Sequence, residues 1–274
     1  TLALQDVSSS QPNTHFVVTQ GNFSGLVGSD FDDRLTGASN TTLSGGGGKD
    51  TFAVKANTVN ATFAGGADDD VLQVFETGVQ DLNFSGDEGI DSLINTGSIE
   101  RLNFTGGADD DILQNTGEIK GELLFAGGAD QDILINDGSI IELDFRGGAD
   151  DDVLENRGAI TVELNFGGDE GIDVLTNVGT IEVLNFNGGA DDDIFVNSGI
   201  DPIDLDFRGG ADDDILLDQP GSIGRLVFSG DDGSDIFTNL GTIDQLVFGG
   251  GADDDIFVNA GPAVTQLNFG GDED

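Results

Sequence analysis

The stretch Leu102-Asn103-Phe104-Thr105-Gly106-Gly107-Ala108-Asp109-Asp110-Asp111-Ile112-Leu113-Gln114-Asn115-Thr116-Gly117-Glu118-Ile119 decides the fold. Leu102-Asn103-Phe104 and Asp111-Ile112-Leu113-Gln114-Asn115 alternate with period two, as a strand with one buried face does. A Gly-rich acidic run separates them, and Asn115-Thr116-Gly117 follows as a second turn. Two short strands and two turns then begin again, from Leu123-Leu124-Phe125.

The same unit runs along most of the chain. Phe recurs at 63, 84, 104, 125, 145, 166, 186, 207, 228, 248 and 269, and Leu43 and Phe23 extend the register backwards. With this residue as position zero, Leu stands at minus two from Leu82 to Leu267, and Asp at plus seven. Leu or Phe usually follows at plus nine, Asn at plus eleven, Gly at plus thirteen and Ile at plus fifteen. A supersecondary unit repeating every 20 to 21 residues cannot bury its apolar side chains alone and must stack on its neighbours. The reading is all-β: a parallel β-solenoid (β-helix or β-roll) of about 12 coils over residues 23–274. Helix is excluded, because Gly-rich turns interrupt every stretch long enough to form one. Residues 1–22 lack the repeat, and His15-Phe16-Val17-Val18 reads as a capping strand or part of a linker. Thr1 in place of Met, and a C-terminus inside an acidic loop at Asp272-Glu273-Asp274, are expected of a fragment of a longer repeat protein.

Composition narrows the chemistry. The 274 residues contain no Cys, Met, Trp or Tyr, so disulfides and Cys-ligated metal centres are excluded. Acids outnumber bases 53 to 9, for a net charge of −44, which argues against nucleic acid as a partner. No apolar run approaches the roughly 18 residues of a membrane span, so this segment is not expected to insert. Disorder is opposed by 36% hydrophobic content and 19 Phe at regular spacing.

The acids are concentrated in the loops. Ten loops between residues 68 and 255 hold 29 of the 53. The plus-seven position is always Asp: Asp50, Asp70, Asp91, Asp111, Asp132, Asp152, Asp173, Asp193, Asp214, Asp235 and Asp255. Seven loops read Gly-Gly-Ala-Asp-x-Asp and place a second Asp at plus five: Asp68, Asp109, Asp130, Asp150, Asp191, Asp212 and Asp253. Three loops have Gly at plus five and Asp at plus three instead: Asp87, Asp169 and Asp231. One carboxylate moves while the number per loop stays near three, which suits an oxygen-lined cation site. Plus six varies among Asp, Lys49, Ile90, Gln131, Ile172 and Ser234 and reads as an outward bystander.

Stacked carboxylates one coil apart repel by about 1 kcal/mol even at the dielectric of water. Hard cations accept six to eight oxygens from flexible carboxylates and carbonyls in the case of calcium, whereas magnesium demands a stricter octahedron. The expected cofactor is therefore Ca2+, about one or two ions per coil, held by the Asp residues named above.

Gly45-Gly46-Gly47-Gly48-Lys49-Asp50-Thr51-Phe52 resembles the RTX (haemolysin-type) calcium repeat, Gly-Gly-x-Gly-x-Asp-x-hydrophobic, in full. Gly86-Asp87-Glu88-Gly89-Ile90-Asp91-Ser92-Leu93 resembles it with one Gly lost, and the Gly-Gly-Ala-Asp-Asp-Asp copies carry Asp at the third Gly position. The resemblance implies that the plus-seven Asp and nearby carbonyls bind calcium. That family has two such nonapeptides per turn and this chain one. The other half of each coil looks more like bacterial autotransporter passenger domains and large adhesins, so one calcium row is expected.

These readings converge on a non-enzymatic, calcium-dependent structural or adhesive section of a large secreted or cell-surface bacterial protein. It would fold on calcium outside the cell, with cell-surface glycans or proteins as partners. The alternative is a surface-layer or fibre subunit assembling end to end. An ice-binding solenoid is opposed by the irregular series Thr96, Thr116, Asp137, Arg157, Val178 and Ser198 after the Asn column. A polysaccharide lyase would need a base, and Arg146 and Arg208, both one after the Phe, are the candidates. The Asn column itself (Asn95, Asn115, Asn136, Asn156, Asn177, Asn197, Asn239, Asn259) reads as a ladder of stacked amides.

Overall fold

The computed structural model describes residues 2–3, 14–17, 25–199, 202, 204–262 and 264–270, with side chains from residue 25 onward. Phe23, Val18 and the terminal Asp272 to Asp274 lie outside the described residues. The chain divides into two compact units, residues 1–140 and 141–274.

Each unit is a parallel β-solenoid built from a long-strand sheet and a short-strand sheet. In the first, the short strands Val71–Val74, Ser92–Asn95, Ile112–Asn115 and Ile133–Asn136 pair in parallel. The long strands Ala61–Ala67, Val79–Glu88, Ser98–Ala108 and Glu118–Gly128 do the same. In the second unit the short strands run from Val153–Asn156 through Val174–Asn177, Ile194–Asn197, Ile215–Asp218 and Ile236–Asn239 to Ile256–Asn259. Equivalent repeat positions face one another throughout, as Phe104 faces Phe84 and Phe125.

The start of the first unit differs from the sequence reading in register. Leu26 rather than Phe23 pairs with Leu43, so the coil between them is shorter than the later ones. Upstream of it, Leu2–Ala3 pairs with Leu26 and Val27, and Thr14–Val17 pairs with Asp33 to Thr36.

The cores follow the repeat columns. Phe63, Phe84, Phe104 and Phe125 are buried in the first unit with the minus-two Leu82, Leu102 and Leu123, the plus-nine Leu72, Leu93, Leu113 and Leu134, and Ile99 and Ile119. In the second unit, Phe166, Phe186, Phe207 and Phe228 stack with centroids 4.7 to 5.0 Å apart and planes within 7°. That separation is the strand spacing itself, so each ring lies on the ring of the next coil.

The second turn is tied by amides. Asn95 Nδ2 donates to Asn115 Oδ1 at 2.7 Å and Asn115 Nδ2 to Asn136 Oδ1 at 2.8 Å. In the second unit Asn156, Asn177 and Asn197 continue the pattern, and Asn197 Nδ2 donates to Asp218 Oδ1 at 3.0 Å. These side chains are fully buried, and the ladder supplies hydrogen bonds that water cannot reach. Among the described residues no helix is long and apolar enough to cross a membrane.

Candidate functional site

The plus-seven Asp closes each acidic turn just before a short strand, and its side chain points inward. Asp70, Asp91, Asp111, Asp132, Asp152, Asp173, Asp193, Asp214 and Asp235 are fully buried, Asp50 is almost so, and Asp255 is half-buried. In the first unit the main-chain N–H of Asp50, Asp70, Asp91 and Asp111 each donates to Oδ1 of the next coil's Asp at 2.7 to 2.8 Å. The second unit repeats this from Asp152 through Asp173, Asp193 and Asp214 to Asp235 at 2.8 Å, and from Asp235 to Asp255 at 3.0 Å. Asp33 belongs to the ladder too, since its N–H donates to Asp50 Oδ1 at 2.6 Å. The sequence reading missed it because the short first coil hides its register.

The second oxygen of this carboxylate has no such partner. Oδ2 of Asp50, Asp70, Asp91, Asp111, Asp173, Asp193, Asp214 and Asp235 is buried and accepts no hydrogen bond. It lies over the plus-two Gly of its own coil: a Cβ on Gly65, Gly106, Gly188 or Gly209 would overlap it. That contact, together with the next coil's carbonyl 2.6 to 2.7 Å from the same point at Gly65, Gly106 and Gly188, is why plus two is always Gly. Removal from water pushes Asp50, Asp91 and Asp193 up to about 8, and Asp70, Asp111, Asp173 and Asp214 up to about 7. The accepted N–H opposes the rise and the neighbouring carboxylates add to it.

The second group of candidates sits on the rim, exposed, for a backbone reason. Plus three and plus five are both left-handed in every acidic loop. Where plus five is Asp, as at Asp68, Asp109, Asp130, Asp150, Asp191, Asp212 and Asp253, φ lies between 67° and 75° and plus three is Gly. Where plus three is Asp, as at Asp87, Asp169 and Asp231, φ is 78° to 85° and plus five is Gly. The exchange of one acid between two positions, read from sequence as keeping a ligand count, thus also answers a steric demand. Asp, Asn and Gly are the residues that enter this region at least cost.

The rim carboxylates are organised from coil to coil. The plus-five N–H of Gly48 donates to Asp68 Oδ2 at 3.1 Å, and those of Asp109 and Gly171 donate to Asp130 and Asp191 Oδ2 at 3.3 Å. The plus-six acids are more than bystanders. Asp151, Asp192 and Asp213 accept the plus-six N–H of Ile172, Asp213 and Ser234 at 2.8 to 2.9 Å. The two kinds of candidate are therefore not brought to a single point: plus seven lines the inside of the turn and plus three or five the outside. Among the described residues no three acidic or histidine side chains converge as a ready-made metal site.

Arg146 and Arg208 lie on the outer face of the long sheet and pair with Asp144 and Asp206 of their own coils. No protein-family model and no curated protein matches the sequence.

Proposed function

We propose that this chain is a calcium-dependent extracellular β-solenoid, a non-enzymatic structural or adhesive section of a larger secreted or surface protein. One observation carries the proposal. All ten acidic loops put Asp, never Asn, at the left-handed position not taken by Gly. Asn meets the backbone demand equally well, and among the described residues the other left-handed non-Gly positions are all Asn: Asn40, Asn57 and Asn60. Negative charge on the acidic edge is therefore selected beyond what the turn requires.

The donor chemistry fits calcium. It is all oxygen, and one buried carboxylate oxygen per coil lacks a hydrogen bond in eight of the turns. With acidic side chains failing to converge in threes, carbonyls of the Gly-rich turns would complete the ligand set. Bound calcium supplies positive charge that offsets the stacked carboxylates. The chain's own residues do the rest: the plus-seven Asp fixes one coil to the next through Oδ1, and the left-handed Asp and Gly hold the turn open. Folding free energy then depends on free calcium by mass action, leaving the coils loose where calcium is scarce and locked where it is abundant.

The test is far-UV circular dichroism and thermal melting during calcium titration of an EDTA-stripped sample, with magnesium as control. Cooperative gain of β signal with calcium alone is the expected result. A fully folded protein indifferent to calcium overturns the proposal.

A further inference from the structure

The short-strand sheet of the second unit turns an aliphatic face to solvent. Its plus-eight residues Val153, Val174, Ile194, Ile215, Ile236 and Ile256 align in register, one per strand, each half-buried or exposed. Ile215 and Ile236 each remain 36% accessible. At plus ten Val196, Leu217 and Val258 stand beside them, interspersed with Thr176 and Thr238, and Glu155 is the only acid on this face of the six described strands. In a chain with 53 acids such a face is an interaction surface in need of an occupant.

Its borders say which. Along one edge every turn carries two exposed acids, as in Asp191-Asp192, Asp212-Asp213 and Asp231-Asp232. The other edge is the Asn-x-Gly turn, with Val178 and Ser198 exposed on it. Six strands at about 4.8 Å and four residues per strand give a strip about 24 Å long and 13 Å wide. An α-helix of about 16 residues, 10–12 Å across, covers that strip once. Among the described residues the first unit offers no equivalent unbroken column, because Thr51 and Ser92 interrupt its plus-eight series.

We propose that this face docks a cationic amphipathic helix lying along the stack of coils. Its apolar side would rest on the plus-eight column, and Lys or Arg on one flank would meet the acidic edge. Its apolar contact does not depend on whether calcium drives folding, whereas its charged flank shares Asp191, Asp212 and Asp231 with the proposed calcium edge and would be weakened by bound calcium.

The test uses the full chain, confirmed folded by circular dichroism in whichever calcium condition supports folding. A labelled Leu/Lys peptide of about 16 residues, with apolar and cationic faces at helical spacing, is titrated by fluorescence anisotropy. A scrambled isomer and a Leu/Glu version are the controls. The amphipathic Lys peptide is expected to bind at least about tenfold more tightly than its scramble. I194T/I215T/I236T, which keeps β-branched residues in the strands, is expected to abolish that difference and leave the weak charge-driven binding of the scramble unchanged. If that triple variant does not fold, V196T/L217T asks the same of the neighbouring column. Equal binding of helix and scramble, an unaltered preference in the face variants, or a dimer in sedimentation that the face variants dissolve each overturns the proposal. A calcium-indifferent fold with intact peptide preference would sink the calcium reading and leave this one standing.

Discussion

The main-chain N–H of Asp91 donates to Oδ1 of Asp111 at 2.7 Å, and both side chains are shut off from water. One oxygen of Asp111 therefore joins two coils while the other, Oδ2, lies over Gly106 without a hydrogen bond. The ladder supports the fold through its geometry and opposes it through its charge.

That opposition has a sign in pH. Burial raises the plus-seven acids from the ordinary Asp value near 4 to about 6 for Asp235 and about 8 for Asp50, Asp91 and Asp193. Between these limits the native state holds more protons than the unfolded chain, so stability falls as pH rises. In EDTA, the melting temperature should be highest near pH 5, decline through pH 8 and level off above it. Saturating calcium should flatten the decline. A melting temperature that rises over this range would contradict a buried, desolvated ladder.

Asp111→Asn and Asp111→Ala should separate the two oxygens. Asn keeps an acceptor for the Asp91 N–H and removes the charge, so at pH 8 without calcium it should be neutral or stabilising. Ala leaves that buried N–H unsatisfied and should cost about 1–3 kcal/mol. Urea denaturation with and without calcium measures both, and the Asn variant should lose part of the calcium-induced gain.

Gly106→Ala should destabilise by about 1–3 kcal/mol, because the new methyl overlaps the Asp111 carboxylate. Combined with Asp111→Ala, the overlap with the carboxylate disappears and only the close approach to the Gly127 carbonyl of the next coil remains. The double variant should then be clearly more stable than the sum of the two losses predicts. Additive losses would mean that the carboxylate does not pack on Gly106.

Asp109 holds φ at 71°, so Asp109→Ala should cost about 1–2 kcal/mol from left-handed strain alone. Asp109→Asn should leave the calcium-free protein unchanged. Replacing Asp109, Asp130, Asp191 and Asp212 together by Asn should raise the calcium midpoint measured by circular dichroism. An unchanged midpoint would show the rim charges to be irrelevant to the cation.

Much of this was legible in the chain because each coil repeats the same physics. The Phe column, the Leu columns on either side and the Asn ladder follow from period-two alternation and a unit that cannot bury its own core. The direction of the plus-seven side chain was not legible. An Asp at the end of an acidic run looks like surface, and only the invariant plus-two Gly hints that a carboxylate occupies the space of a missing Cβ. The exchange of Asp between plus three and plus five was visible as a pattern, but its steric half needed the backbone angles. Asp33 and the shift from Phe23 to Leu26 were hidden because the first coil drops residues and so breaks the spacing on which the reading depended.

The plus-seven Asp and Asn ladders of the second unit point one way: Asp173 N–H to Asp193, Asp193 N–H to Asp214, Asn177 amide to Asn197. Excising residues 174–193 would bring the Asp173 N–H to Asp214 and the Asn156 amide to Asn197, the same partners in kind as before. Duplicating the same stretch would be accommodated as readily. Length is thus a modular quantity in this architecture, adjustable by recombination in whole coils while the Asp and Asn ladders keep their chemistry.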